Sequence, residues 1–140
     1  MEPRAWLRPR IVPLLAALLT AGAGLGARAV LTGAVANVGG VALWSVLVAC
    51  LILAVRPSLP GGQLFALTLG ISVAVELFQL TGVPLALYRI HRLSALVLGT
   101  SFQWADLPAY LLGSLAAGLG QGLSLRARRA ADPGRGAGRG

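Results

Sequence analysis

The chain has 140 residues, of which 56% are apolar and 11% charged, with a mean hydropathy of +0.79. Soluble domains carry about 25% charged residues, so this chain has too few to clothe a water-facing surface, and composition points to an integral membrane protein. The net charge of +8 comes from twelve basic residues; all are arginine and most flank apolar runs, as membrane topology places them, which argues against nucleic acid as a partner.

The fold class that follows is all-α, because a helix satisfies its own backbone in hydrocarbon. The sequence predicts a polytopic membrane bundle of about four transmembrane helices plus a short interfacial or re-entrant segment. Residues 1–10, with Arg4, Arg8 and Arg10, form a basic N-terminus. An uncharged run over 11–27 is at the short end of what can span. Basic start, apolar middle and Ala27-Arg28-Ala29 also describe a signal peptide; more apolar runs follow, so the first needs no removal, and the sequence leaves cleavage open. Gly22 and Gly26 form a G-x-x-x-G pair, which permits close helix approach.

Residues 29–40 are small and Gly-rich and read as a turn, with the second span over 38–55 ending at Arg56-Pro57. R-P-S-L-P-G-G at 56–62 is a tight hairpin loop. The third span, 63–82, holds Glu76 and Gln79 on one face, with Glu76 only about 5 Å past the helix midpoint. Pro84 then breaks the helix. In 83–103 two apolar runs are each too short to cross, and Arg89 and Arg92 sit three apart. The fourth span, 104–125, opens with Asp106, whose carboxylate suits the first-turn dipole; Tyr110 follows on the same face, and Gly113, Gly118 and Gly122 supply a small-residue seam. Residues 11–125 form a single helical membrane domain. Residues 126–140 carry five Arg, four Gly and one Pro and read as a disordered basic tail.

With four spans, the N-terminus, the 56–62 loop and the C-terminus share one side and hold nine Arg; the other side holds Arg28, Arg89 and Arg92. The positive-inside rule then puts both termini in the cytoplasm. Ionisable groups inside spans cost about 2.5–3.5 kcal/mol on insertion scales and usually face the bundle interior. The candidate site is therefore a polar pocket toward the outer leaflet, built from Arg28, Glu76, Gln79, Arg92, Asp106 and Tyr110, with Glu76 pairing Arg28, Arg89 or Arg92. A structural reading stands beside it: a polar clasp that fixes helix packing. His91, between two arginines, reads as a solvated loop histidine. Cys50 is the single cysteine and makes neither a disulfide nor a zinc site. No nucleophile motif, metal cluster or phosphate-cradling loop accompanies Glu76 and Asp106, so the expectation is a protein that is not an enzyme and uses no cofactor or metal.

Glu76-Leu77-Phe78-Gln79, an arginine-bearing linker, and L-V-L-G-T-S-F-Q-W-A-D-L-P-A-Y-L-L-G from Leu96 to Gly113 resemble the domain-of-unknown-function 2809 family of small bacterial membrane proteins. The pattern is more distantly similar to the VanZ-like family, which pairs E-x-x-Q and R with D-x-x-x-N-x-x-G. Glu76, Gln79, Arg92, Asp106 and Gly113 occupy the matching places. Tyr110 stands where VanZ-like proteins have Asn, which favours the first family. G-L-G-A-R at Gly24 to Arg28 looks like that family's first-span end, and G-V-A-L-W at Gly40 to Trp44 resembles a stretch where the family often has an acidic residue; Val41 stands there instead. The resemblance covers roughly residues 11–122 and implies a four- or five-helix membrane protein without established activity, with low-level resistance to glycopeptides such as teicoplanin as a VanZ-like analogy.

The leading functional expectation is a non-enzymatic cell-membrane protein whose outer-leaflet pocket contacts an envelope lipid or cell-wall precursor. The alternative is a small oligomeric proton- or ion-coupled transporter using Glu76; a membrane-embedded hydrolase or transferase is disfavoured for want of a nucleophile. The partners implied are the lipid bilayer, the lipid or precursor, and a second copy of the chain as homo-oligomer.

Overall fold

A computed structural model of the chain describes residues 3–30 and 32–131. Among them are six α-helices and no strand: α1 (Pro3–Val30), α2 (Gly33–Val55), α3 (Gly61–Gln79), α4 (Val83–Ile90), α5 (Ala95–Leu98) and α6 (Asp106–Ala131), with a 3-10 turn at Arg92–Ser94. The all-helical bundle expected from composition is what forms. Three helices are long and apolar enough to cross a membrane, over Pro9–Ala27, Ala36–Val55 and Gly61–Gln79. The fourth expected span is α6. Its 26 residues reach about 39 Å, but it is not among the helices apolar enough to cross; α2 and α3 pack against it.

Several boundaries differ from the sequence expectation. Residues 29–40 are not a long turn: α1 runs to Val30 and α2 starts at Gly33. Thr32 is extended (φ −129°, ψ 162°) and Gly33 takes φ +68°, a conformation that costs glycine little, and the alanines that follow are good helix formers. The N-terminal arginines lie in the first turns of α1 rather than ahead of it. At the other end α6 continues to Ala131, so 126–131 is helical, not tail. Arg128 and Arg129 in its last turn suit the negative end of the helix dipole. The remainder of the predicted tail, 132–140, lies outside the described residues. In 83–103, the expected short segment resolves into α4, the 3-10 turn and α5, and ends at Gly99 with φ +67°.

The centre of the molecule is a three-helix unit. α2 and α6 run parallel, joined through Asn37 to Asp106 near one end and through Ala42 against Gly113 farther along. α3 runs antiparallel to both, with Glu76 against Tyr110 and Gly61 against Gly118. α1 lies along α2, and its Arg10 Nη2 donates to the Val55 carbonyl at 3.4 Å. Backbones approach closely at two levels. A Cβ on Gly113 would sit 2.5 Å from the Ala42 carbonyl oxygen, and one on Gly118 would sit 2.8 Å from that of Gly61. Small residues at helix crossings allow this approach, which substitutes for the hydrophobic drive that lipid does not supply. Gln121 closes the same end by donating from Nε2 to the Pro57 and Leu59 carbonyls, both at 3.0 Å.

Burial is inverted relative to a soluble protein. Ser45, Thr68, Ser72, Glu76 and Ser114 have no exposed surface, whereas Leu18, Leu19, Val55, Leu112, Leu119 and Leu123 are exposed. An apolar solvent favours this arrangement, because polar groups must then find their partners inside the bundle.

Candidate functional site

The site grows from one face of α3. Leu64, Thr68, Ser72 and Glu76 recur every fourth residue and are fully buried, with Gln79 nearly so. Four-residue spacing keeps them on one side of the helix, facing α2 and α6. Ser72 donates to the Thr68 carbonyl at 2.8 Å, and its Oγ lies 3.4 Å from that of Ser45. The hydroxyls of Thr68 and Ser114 have no hydrogen-bond partner.

At the top of this column both carboxylate oxygens of Glu76 are met. Oε1 accepts the Gln103 backbone N–H at 2.5 Å and Oε2 accepts the Tyr110 hydroxyl at 2.8 Å. Gln103 belongs to the irregular stretch ahead of α6, where a backbone N–H is still free for a side-chain acceptor. The Tyr110 ring packs edge-on to Trp44, with centroids 6.0 Å apart. Asp106, in the first turn of α6, accepts from Asn37 Nδ2 at 2.9 Å. Gln79 donates from Nε2 to the Leu98 carbonyl at 2.9 Å, and so ties the end of α3 to α5. A Cβ on Gly99 would strike that amide nitrogen; close approach and positive φ both call for glycine there.

The six residues expected to form one pocket are thus placed unequally. Glu76 and Tyr110 are bonded to each other, Asp106 is bonded to Asn37, and Gln79 turns toward α5. Arg92 is exposed on the 3-10 turn, as is Arg89 on α4. Arg28 lies in the last turn of α1, and its side chain is outside the described residues. The expected ion pair between Glu76 and Arg89 or Arg92 is corrected by the bonding of the carboxylate: two neutral donors occupy it. Those donors satisfy its oxygens without drawing a guanidinium out of water, which would add a second desolvation cost. Sequence reading missed Asn37, the Gln103 backbone and the hydroxyls of Ser45, Thr68 and Ser114. The Thr68-Ser72-Glu76 spacing was a usable signal; nothing local marked Ser45 or Ser114. Among the described residues no group of three or more His, Cys, Asp or Glu could hold a metal ion.

Beside the column lies a cavity of about 250 Å³ between α1, α2, α3 and α5. Leu25, Leu43, Trp44, Leu47 and Val75 supply apolar wall, and Thr20 and Gln79 are its polar side chains. Of the five predicted pocket residues whose side chains are described, Gln79 alone lines it.

Neither the curated proteins nor the solved structures provide a significant match to this chain. A family model described as "Protein of unknown function (DUF2809)" matches residues 30–114, from the end of α1 through the Glu76–Tyr110 contact into α6. With more than half of its length matched, and within narrower limits than the resemblance read from its motifs, the chain belongs to the DUF2809 family.

Proposed function

We propose that the chain is a non-enzymatic multi-pass protein of the cell membrane, both termini cytoplasmic, that holds an envelope lipid or lipid-linked cell-wall precursor beside Gln79. The observation that carries this reading is the cavity, whose wall among the described residues is apolar apart from Thr20 and Gln79. Such concave, mostly apolar sites with a few placed polar groups are the usual form of small-molecule sites. The Glu76–Tyr110–Gln103 contacts stand next to it as the clasp that holds α3 and α6 in register. By VanZ-like analogy, the reading extends to low-level glycopeptide resistance.

The test is lipid retention. Protein purified in detergent and washed extensively should keep a defined lipid species, read by mass spectrometry of the organic extract. Val75→Phe, which fills the cavity, should lose it while still inserting and folding. A wild-type extract with no retained species, or one unchanged by Val75→Phe, rejects the reading.

A second reading has its own observation. The buried run Thr68, Ser72, Glu76 and Gln79 forms a polar column along α3, which favours a proton- or ion-coupled transporter using Glu76. Liposome flux indifferent to both pH and Glu76→Gln would rule that out.

A further inference from the structure

The cavity's two polar side chains differ from those of a headgroup clamp. Thr20 donates its hydroxyl proton to the Ala16 carbonyl at 2.7 Å. Gln79 commits Nε2 to the Leu98 carbonyl, and this bond also fixes which amide atom is oxygen, because a carbonyl requires a donor. Gln79 Oε1 is left buried without a hydrogen-bond partner, on a side chain only 8% exposed. A buried acceptor left unpaired is costly, and among the described residues the cavity that Gln79 lines has no arginine in its wall.

We infer that the cavity selects a neutral amphiphile bearing a hydrogen-bond donor, such as a long-chain alcohol or a diacylglycerol-like lipid, whose hydroxyl donates to Gln79 Oε1 while its chain lies against Leu43, Leu47 and Val75. This deepens the lipid-holding reading above and rests on it. It assigns the ligand's polar group to a hydroxyl rather than a phosphate or carboxylate. An anion here would lose its hydration, and none of the described wall residues offers it a cation. Oε1 is buried, so a small displacement of the wall beside Gln79, with the Nε2 bond to the Leu98 carbonyl kept, admits the hydroxyl.

Trp44 lines the cavity and is one of three tryptophans, so Trp6→Phe with Trp104→Phe leaves it as a single reporter. Three probes of equal chain length, each brominated at the far end, are titrated into the full chain in nanodiscs: an alcohol, its methyl ether and the corresponding carboxylate. The alcohol should quench Trp44 saturably. The ether, which cannot donate, should bind about tenfold more weakly, the ratio for one hydrogen bond near the upper ordinary strength. The carboxylate should be weaker than the alcohol, and Gln79→Leu should remove the difference between alcohol and ether. The comparison of probes on unaltered Gln79 carries the test if that variant does not fold. Equal binding of alcohol and ether, or tighter binding of the carboxylate, overturns the donor assignment and leaves the lipid-holding reading standing. No saturable quenching by any probe defeats both.

Discussion

Glu76 has no exposed surface, and its two oxygens accept from a backbone N–H and a phenol. Each bond is modest by itself, but removing one partner from a buried carboxylate leaves a desolvated oxygen unmatched. Tyr110→Phe should therefore lower stability by about 1–3 kcal/mol. Glu76→Gln should cost a similar amount, because the amide NH2 replaces an acceptor and faces a donor. The two share one bond, so the double variant should lose less than the sum of the singles. Thermal unfolding in detergent micelles measures all three, and additive losses would mean that the Tyr110–Glu76 bond contributes nothing. Thr68 gives the opposite expectation. Its hydroxyl is fully buried without a partner, and valine has nearly its shape. Thr68→Val should be neutral or stabilising by about 1 kcal/mol; a clear loss of stability in the same assay would show that the hydroxyl is satisfied.

At the scale of elements, glycine divides into two groups that sequence alone does not separate. Gly61, Gly113 and Gly118 sit where helix backbones touch, whereas Gly22 and Gly26 have nothing within 4 Å of a Cβ. Gly118→Ala should thus force α3 and α6 apart and cost about 1–3 kcal/mol. Gly22→Ala should be neutral or stabilising by up to about 1 kcal/mol, from helix propensity. If Gly22→Ala and Gly26→Ala instead weaken crosslinking between copies, that face of α1 is an oligomer interface. The spacing that marks both groups was legible in the sequence, as were the helical class, the hairpin read at 56–62 (of which 61–62 belong to α3) and the break before Pro84. What a given glycine touches was not, because contact depends on the register of helices far apart in the chain. The same reason hid Asn37 from view: its partner Asp106 lies 69 residues away. It also misdirected Glu76. Nearby arginines were visible as its natural counter-charges, while a backbone N–H at Gln103 leaves no trace in side-chain identity.

For the whole molecule, the two ends of the bundle differ in charge. Arg10, Arg56, Arg126, Arg128 and Arg129 belong to one end, where Arg10 meets the α2 terminus and Gln121 meets the following turn. Arg89 and Arg92 lie at the other, on the exposed connection between α3 and α6. Arginine is retained on the cytoplasmic face during insertion, so the richer end should be cytoplasmic and the α4–α5 connection external. Because the Gln79 tether to Leu98 sits at that poorer end, orientation also decides from which leaflet a ligand would enter beside α5. In a Cys50→Ala background, Arg92→Cys should react with a membrane-impermeant maleimide on intact cells. Ser124→Cys should react only after permeabilisation. Labelling of both from outside would place α6 short of a full crossing. The reverse pattern would turn the bundle over and move the entry of the cavity to the cytoplasmic leaflet, with the helix contacts unchanged.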